Sequence, residues 1–285
     1  MRRGYTRPVP AEQIGQNLAY INWTVLTGLA VGSYAAALLA RWRTTATRGF
    51  IRFTSLCGIG FGLLAWLSDG ALPGTLAGSP VVADPSFDLP RRAALAAFCA
   101  LAFVDLVAGH RRSARLIGPA AIGAAGLVLL FGSLAWGGGP LGAVPLLFQL
   151  VTLSAATGGV FAAMILGHWY LVTPKLPEGP LILIARLLLG VVVLQVVLFA
   201  VWVATGAGPA GAAPFDALTG EWALFVWLRL VVGLVFPLIV SWAAVQTART
   251  RSMESATGLL YINVGSIAAG TILAAGLYFG AGLLV

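Results

Sequence analysis

The chain holds only two histidines, His110 and His168. His168 lies in a Gly167-His168-Trp169-Tyr170 segment at the end of a long apolar run, and Pro174, Pro177 and Pro180 follow to stop a helix and stiffen the turn. His110 ends another apolar run, just ahead of Arg111 and Arg112. Two imidazoles at one depth on different membrane helices form the axial ligand set of a b-type haem, with Arg41, Arg111 or Arg112 available to its propionates. Without a metal, His168, Tyr170 and a nearby arginine would suit a quinone or a lipid headgroup. A plainer alternative is an interfacial belt, in which His168, Trp169 and Tyr170 keep polar tips in the headgroup zone and His110 joins a basic turn.

A second set of candidates consists of charges inside apolar runs. Asp105 is surrounded in sequence by Ala102, Phe103, Val104 and Leu106, and Arg229 lies between Leu228 and Leu230. Such groups are expensive in a bilayer and mark a pathway or a partner by default. Facing each other, Asp105 and Arg229 would form a structural ion pair or contact a substrate, a proton or a quinone. Gln195 joins them as a candidate pathway residue. Asn22, Gln149 and Asn263 are expected to make interhelical hydrogen bonds of about 1 kcal/mol or less each. Pro237 predicts a kink.

Other chemistries lack their residues. No phosphate-binding glycine loop, His-Glu-x-x-His or nucleophile elbow occurs. Cys57 and Cys99 stand singly in apolar runs and read as small buried hydrophobes.

The elements that must position these groups follow from composition. Hydrophobic residues make up 59% of the chain and charged ones 9%, whereas a soluble domain has about 25% charged residues. Apolar runs of spanning length fall near Leu18–Ala40, Ile51–Leu72, Arg92–Gly109, Leu116–Trp136, Val144–Val172, Leu181–Thr205, Trp222–Val245 and Ala256–Leu284. The expectation is an all-α, polytopic bundle of about eight transmembrane helices, solvated by lipid. The first run is too long for a signal-peptide core of about 7–15 residues, so it is expected to stay as a helix.

Loop charges set an orientation. Arg41, Arg43, Arg48 and Arg52, then Arg111, Arg112 and Arg115, then Arg249 and Arg251 alternate with loops carrying Asp84 and Asp88, then Asp216 and Glu221. Placing the arginines in the cytoplasm puts both termini outside a bacterial inner membrane, although the basic tail of Arg2, Arg3 and Arg7 opposes this. The same rule accounts for the net charge of +8 without nucleic acid.

The chain also repeats itself. Sliding Thr24–Trp42 over Val151–Trp169 sets Leu26, Gly32, Ala35, Ala36, Leu39 and Trp42 on Leu153, Gly159, Ala162, Ala163, Leu166 and Trp169. Pro85, Phe87 and Asp88 likewise meet Pro214, Phe215 and Asp216, and Ala124-Ala125-Gly126 meets Ala268-Ala269-Gly270. The expected organisation is a polar segment 1–17, a four-helix half 18–137 and a second half 138–285, related as parallel repeats.

Three functions fit: a haem- or quinone-binding redox subunit of a respiratory membrane complex, a small-molecule or ion transporter with its site between the halves, and an accessory scaffold. Two histidines at matched depth favour the first. The lipid bilayer is the expected partner in all three.

Overall fold

The computed structural model describes residues 9–76, 78–108, 115–173 and 176–285. Every regular element among them is helical. A short helix α1 (Pro10–Gln16) leads into α2 (Leu18–Arg43), followed by α3 (Arg48–Asp69), α4 (Asp88–Ala108) and α5 (Ile117–Trp136). Then come α6 (Pro140–Val172), α7 (Gly179–Thr205), α8 (Ala223–Leu230), α9 (Phe236–Arg249) and α10 (Met253–Ala281), with a π-helical turn at Val231–Val235 joining α8 to α9.

Among the described residues seven helices are long and apolar enough to cross a membrane: α2, α3, α5, α6, α7, the continuous α8–α9 rod and α10. The surface agrees, since Leu63, Leu64, Leu67, Val193, Val197, Val201 and Ile239 are all exposed. Lipid, which is as apolar as these side chains, is the solvent that such a belt requires. The chain is therefore a multi-pass membrane protein. The helix α4 lies alongside the seven but carries Asp88, Arg91, Arg92 and Asp105, which make it less apolar than its neighbours.

Packing centres on α2 and α6. A Cβ on Gly32 would lie 1.9 Å from the Ser154 carbonyl oxygen, and one on Gly158 would lie 2.4 Å from the Gly32 carbonyl carbon. The two backbones touch there, an approach that only glycine permits. Asn22 meets Ser68 while Tyr34 meets Gly58, so α3 runs against α2, and Gly49 meets Trp169 while Phe61 meets Phe161, so α3 also runs against α6; α2 and α6 are therefore parallel. Around this axis α3 packs on α2, α4 on α3 and α5, α9 on α7 and α10, while α5 leans on α6 and α10 leans on α2.

The turns confirm the sense of each rod. Thr47 caps α3 by accepting from the Phe50 N–H. The α3–α4 loop is tied down where the Asp84 N–H donates to the Ala135 carbonyl at 2.8 Å. The Asp84 carboxylate accepts from the Ser86 N–H and Oγ at 2.9 and 2.7 Å. Those hydrogen bonds hold its pKa below the ordinary value of 3.8.

Candidate functional site

Two buried ion pairs occupy opposite ends of α4. At its start, Arg91 and Asp69 are 1% and 6% exposed. Arg91 donates from Nε to Asp69 Oδ2 at 2.7 Å and from Nη2 to Asp69 Oδ1 at 3.4 Å. The Trp23 indole N–H donates to Asp69 Oδ2 at 2.8 Å. A carboxylate stripped of water needs this number of donors.

The guanidinium also lies 4.7 Å from the Trp136 ring centroid and 5.8 Å from that of Trp23. Edge contacts of Trp136 with Tyr20 and Trp23 complete an aromatic wall. The Tyr278 hydroxyl fixes the end of α5 by donating to the Trp136 carbonyl at 2.8 Å, and Tyr20 donates to the Pro73 carbonyl.

Arg91 has one further partner. Its Nη1 donates to Asp88 Oδ1 at 3.0 Å, and the Asp88 side chain is 56% exposed. Above this cluster opens a cavity of about 330 Å³, bounded by Tyr20, Trp136, Pro73 and the charged groups Asp88, Arg91 and Arg92. That volume reaches the lower end of small-molecule sites, roughly 300 Å³.

At the far end of α4, Asp105 is 4% exposed. Arg41 grips it with both nitrogens, at 3.0 and 3.1 Å, and the Tyr34 hydroxyl donates to it at 2.9 Å. Bidentate geometry makes this the strong form of the pair. A second cavity of about 230 Å³ adjoins it, lined by Arg41, Arg48, Arg52 and Ser55 as well as Asp105. Its lining has three arginines against one carboxylate.

Between the two clusters the interior is apolar and tight. Phe98 is buried with its ring edge-on to Tyr34, at 5.6 Å between centroids. The Cys99 sulfur lies close enough to α3 that a Cβ on Gly62 would meet it at 2.8 Å. At 1.5 Å per residue, Cys99 is about 12 Å along α4 from Arg91 and about 9 Å from Asp105. Two cavities at opposite ends of the bundle thus face a common plug.

The structure rearranges several candidates read from sequence. Asp105 pairs with Arg41 and Tyr34, not with Arg229. Arg41, expected at haem propionates, is committed to that carboxylate because α2 continues through Arg43 and carries it inward. His168 is exposed, its Nδ1 3.3 Å from the Tyr261 hydroxyl of α10. Tyr170 is buried and donates to the Pro177 carbonyl. His110, Arg111 and Arg112 lie outside the described residues. No group of three or more His, Cys, Asp or Glu side chains that could hold a metal ion occurs among the described residues.

Arg229 is 3% exposed and donates from Nη1 to the Gly233 carbonyl at 3.0 Å. The α-helical partner of that carbonyl would be the N–H of residue 237, which is Pro237 and has none. Arg229 therefore serves a carbonyl whose α-helical donor proline has removed, wedged where α10 comes so close that a Cβ on Gly270 would meet Gly233 Cα at 2.6 Å. Among the described residues the Nε of Arg229 and the Nε2 of Gln195 have no hydrogen-bond partner. Asn263 bonds Ser241 at 2.8 Å, Gln149 bonds the Ala274 carbonyl at 3.4 Å and Asn22 bonds Ser68 at 3.3 Å, as interhelical links.

Sequence reasoning passed over Asp69, Arg91, Trp23 and Trp136. Asp69 falls in the last turn of the Ile51–Leu72 run and Arg91 just ahead of the Arg92–Gly109 run, edge positions where charges are ordinary. The one available signal was that an acid closing α3 and a base opening α4 lie on helices joined in sequence. No protein-family model, curated protein or solved structure matches the chain, so the chemistry of the site rests on these residues alone.

Proposed function

We propose that the protein is a transporter of a small solute, with its pathway along α2, α3 and α4 and with the two ion pairs as gates in series. The carrying observation is that α4 supplies one member of each buried pair, Arg91 and Asp105, and that each pair floors a cavity at a different end of the bundle. A pair enclosed on every side would act as a permanent staple, since removing either partner strands a charge. Here each pair has an outlet. Arg91 also holds the exposed Asp88, and the Arg41 side chain is 24% exposed.

In this reading α4 is an eighth span, its charges compensated within the bundle, and the chain is two parallel four-helix halves. Support comes from the parallel contact of α2 with α6 and from the exchanged contacts, α5 on α6 and α10 on α2, that a twofold axis along the membrane normal would produce. The arginine-rich end faces the cytoplasm by the positive-inside rule. The gates lie inside the first half rather than between the halves. The histidine-centred redox reading has less behind it, because His168 is exposed and α4 packs on α3 and α5 rather than on α6.

Cys99 reports on the gates. In a Cys57→Ala background reconstituted in liposomes, an impermeant anionic methanethiosulfonate should modify Cys99 slowly in the parent. Asp105→Asn should speed modification at least tenfold from the arginine-rich face, and Asp69→Asn likewise from the opposite face. Rates unchanged from both faces in folded variants would refute the gates.

A further inference from the structure

We infer that the cavity at the Asp69 end recognises a small organic carboxylate, and that Asp88 is a built-in stand-in for that anion. This deepens the transport reading, on which the passage of the ligand rests, and it names the substrate class.

Arg91 divides its hydrogen bonds between a buried partner and an exposed one. Asp69 takes Nε and Nη2, and accepts a third hydrogen bond from the Trp23 N–H. That half of the guanidinium is fixed. Among the described residues the Nη1 edge is held by Asp88 alone, at 3.0 Å, through a side chain that is 56% exposed. Water competes for such an exposed carboxylate and weakens the pair. Asp88 can swing into solvent at little cost, whereas Arg91 and Asp69 stay paired while the ligand binds.

Once Asp88 swings away, the charge count becomes informative. The cavity lining holds Asp69, Asp88, Arg91 and Arg92, two acids and two bases. Without Asp88 at Arg91 the local balance is one positive charge, which a monoanion restores. A carboxylate is isosteric with the group that it displaces and uses the same Nη1 donor. A phosphate would bring further negative charge beside Asp69, which a single freed edge does not neutralise.

The rest of the cavity selects the body of the ligand. Tyr20, Leu72, Pro73 and Trp136 present apolar and aromatic surface, which favours a carboxylate attached to a hydrocarbon or ring. The opposite cavity carries the same sign preference. Arg48 and Arg52 form no ion pair among the described residues, so its lining is cationic overall. An anion released past Asp105 would meet a favourable potential there.

Titration calorimetry on the full chain in detergent, with benzoate as probe and benzamide as its neutral counterpart, tests the inference without any need for transport. Benzoate should bind and benzamide should not. Asp88→Asn should bind benzoate about fivefold more tightly, a change of about 1 kcal/mol, because the internal competitor is gone. Arg91→Lys should abolish binding. Since a misfolded variant does not gain affinity, the Asp88→Asn result stands even if Arg91→Lys fails to fold.

Benzoate that fails to bind both parent and Asp88→Asn, an unchanged affinity in Asp88→Asn, or equal binding of benzamide would each overturn the inference. If benzoate binds as described but Cys99 stays sealed in both ion-pair variants, recognition survives and the transport reading falls. If Cys99 opens and no carboxylate binds, transport stands and the substrate class is wrong.

Discussion

Replacing Arg229 by methionine should leave stability nearly unchanged in the parent and raise it once Pro237 is also replaced. The structure gives both sides of the balance. Arg229 is a buried cation without a carboxylate in the salt-bridge pattern of the described residues. A charge at such depth costs about 2.5–3.5 kcal/mol on insertion scales. Against this, its hydrogen bond to the Gly233 carbonyl satisfies a buried acceptor, and bonds involving a charged group contribute about 1.5–3 kcal/mol. The two nearly cancel, so Arg229→Met alone should shift stability by about 1 kcal/mol or less.

In Pro237→Ala the new N–H at residue 237 can serve Gly233, and the hydrogen bond of Arg229 becomes redundant. Arg229→Met should then stabilise by about 2.5–3.5 kcal/mol, the whole burial cost, and the coupling of the double-mutant cycle is the hydrogen bond made redundant, about 1.5–3 kcal/mol. Reversible unfolding in detergent, followed by tryptophan fluorescence on all four proteins, measures it. Additivity within about 0.5 kcal/mol would show that Arg229 does not serve the carbonyl whose α-helical donor proline has removed.

Other perturbations separate packing, hydrogen bonding and titration. Gly32→Ala puts a methyl group into the α2–α6 backbone contact and should destabilise by about 1–3 kcal/mol in the same unfolding assay; Gly126→Ala, with open space around it, should be neutral or stabilising by up to about 1 kcal/mol. Trp23→Phe removes one donor from the buried Asp69 carboxylate and should lower stability by about 1–3 kcal/mol. Asp84 has a folded pKa below 3.8, so its contribution is present above that pH and is lost as pH falls through the folded value. Ser86→Ala should flatten that acid-side loss in a series of melts across the range.

Much of the fold is legible in the hydropathy pattern, because spanning helices must be long and apolar. The run Leu18–Ala40 became α2 (Leu18–Arg43), and Leu181–Thr205 became α7 (Gly179–Thr205). The start of α4 was less visible, since Asp88, Arg91 and Arg92 dilute its first turns and place the apparent run four residues late, at Arg92.

The site was half legible. Burial cost alone marked Asp105, but its partner was hidden because Arg41 resembles an ordinary edge arginine. Asp69 and Arg91 were invisible for the same reason, since sequence does not say which flanking charges turn inward. Arg229 was marked as a buried charge, and its spacing carries the explanation. Gly233 stands midway between Arg229 and Pro237, four residues from each.

The central claim is two gates in series, and an ion leak tests it most directly. Chloride entry into proteoliposomes, read by quenching of trapped lucigenin, should stay at the protein-free rate in the parent, in Asp69→Asn and in Asp105→Asn. In the folded Asp69→Asn, Asp105→Asn double variant, made in a Phe98→Ala background that opens the apolar plug, it should rise at least tenfold over that background, because only then are both gates broken. A double variant as tight as that background, or a single variant in that background as leaky as the double, would contradict the account.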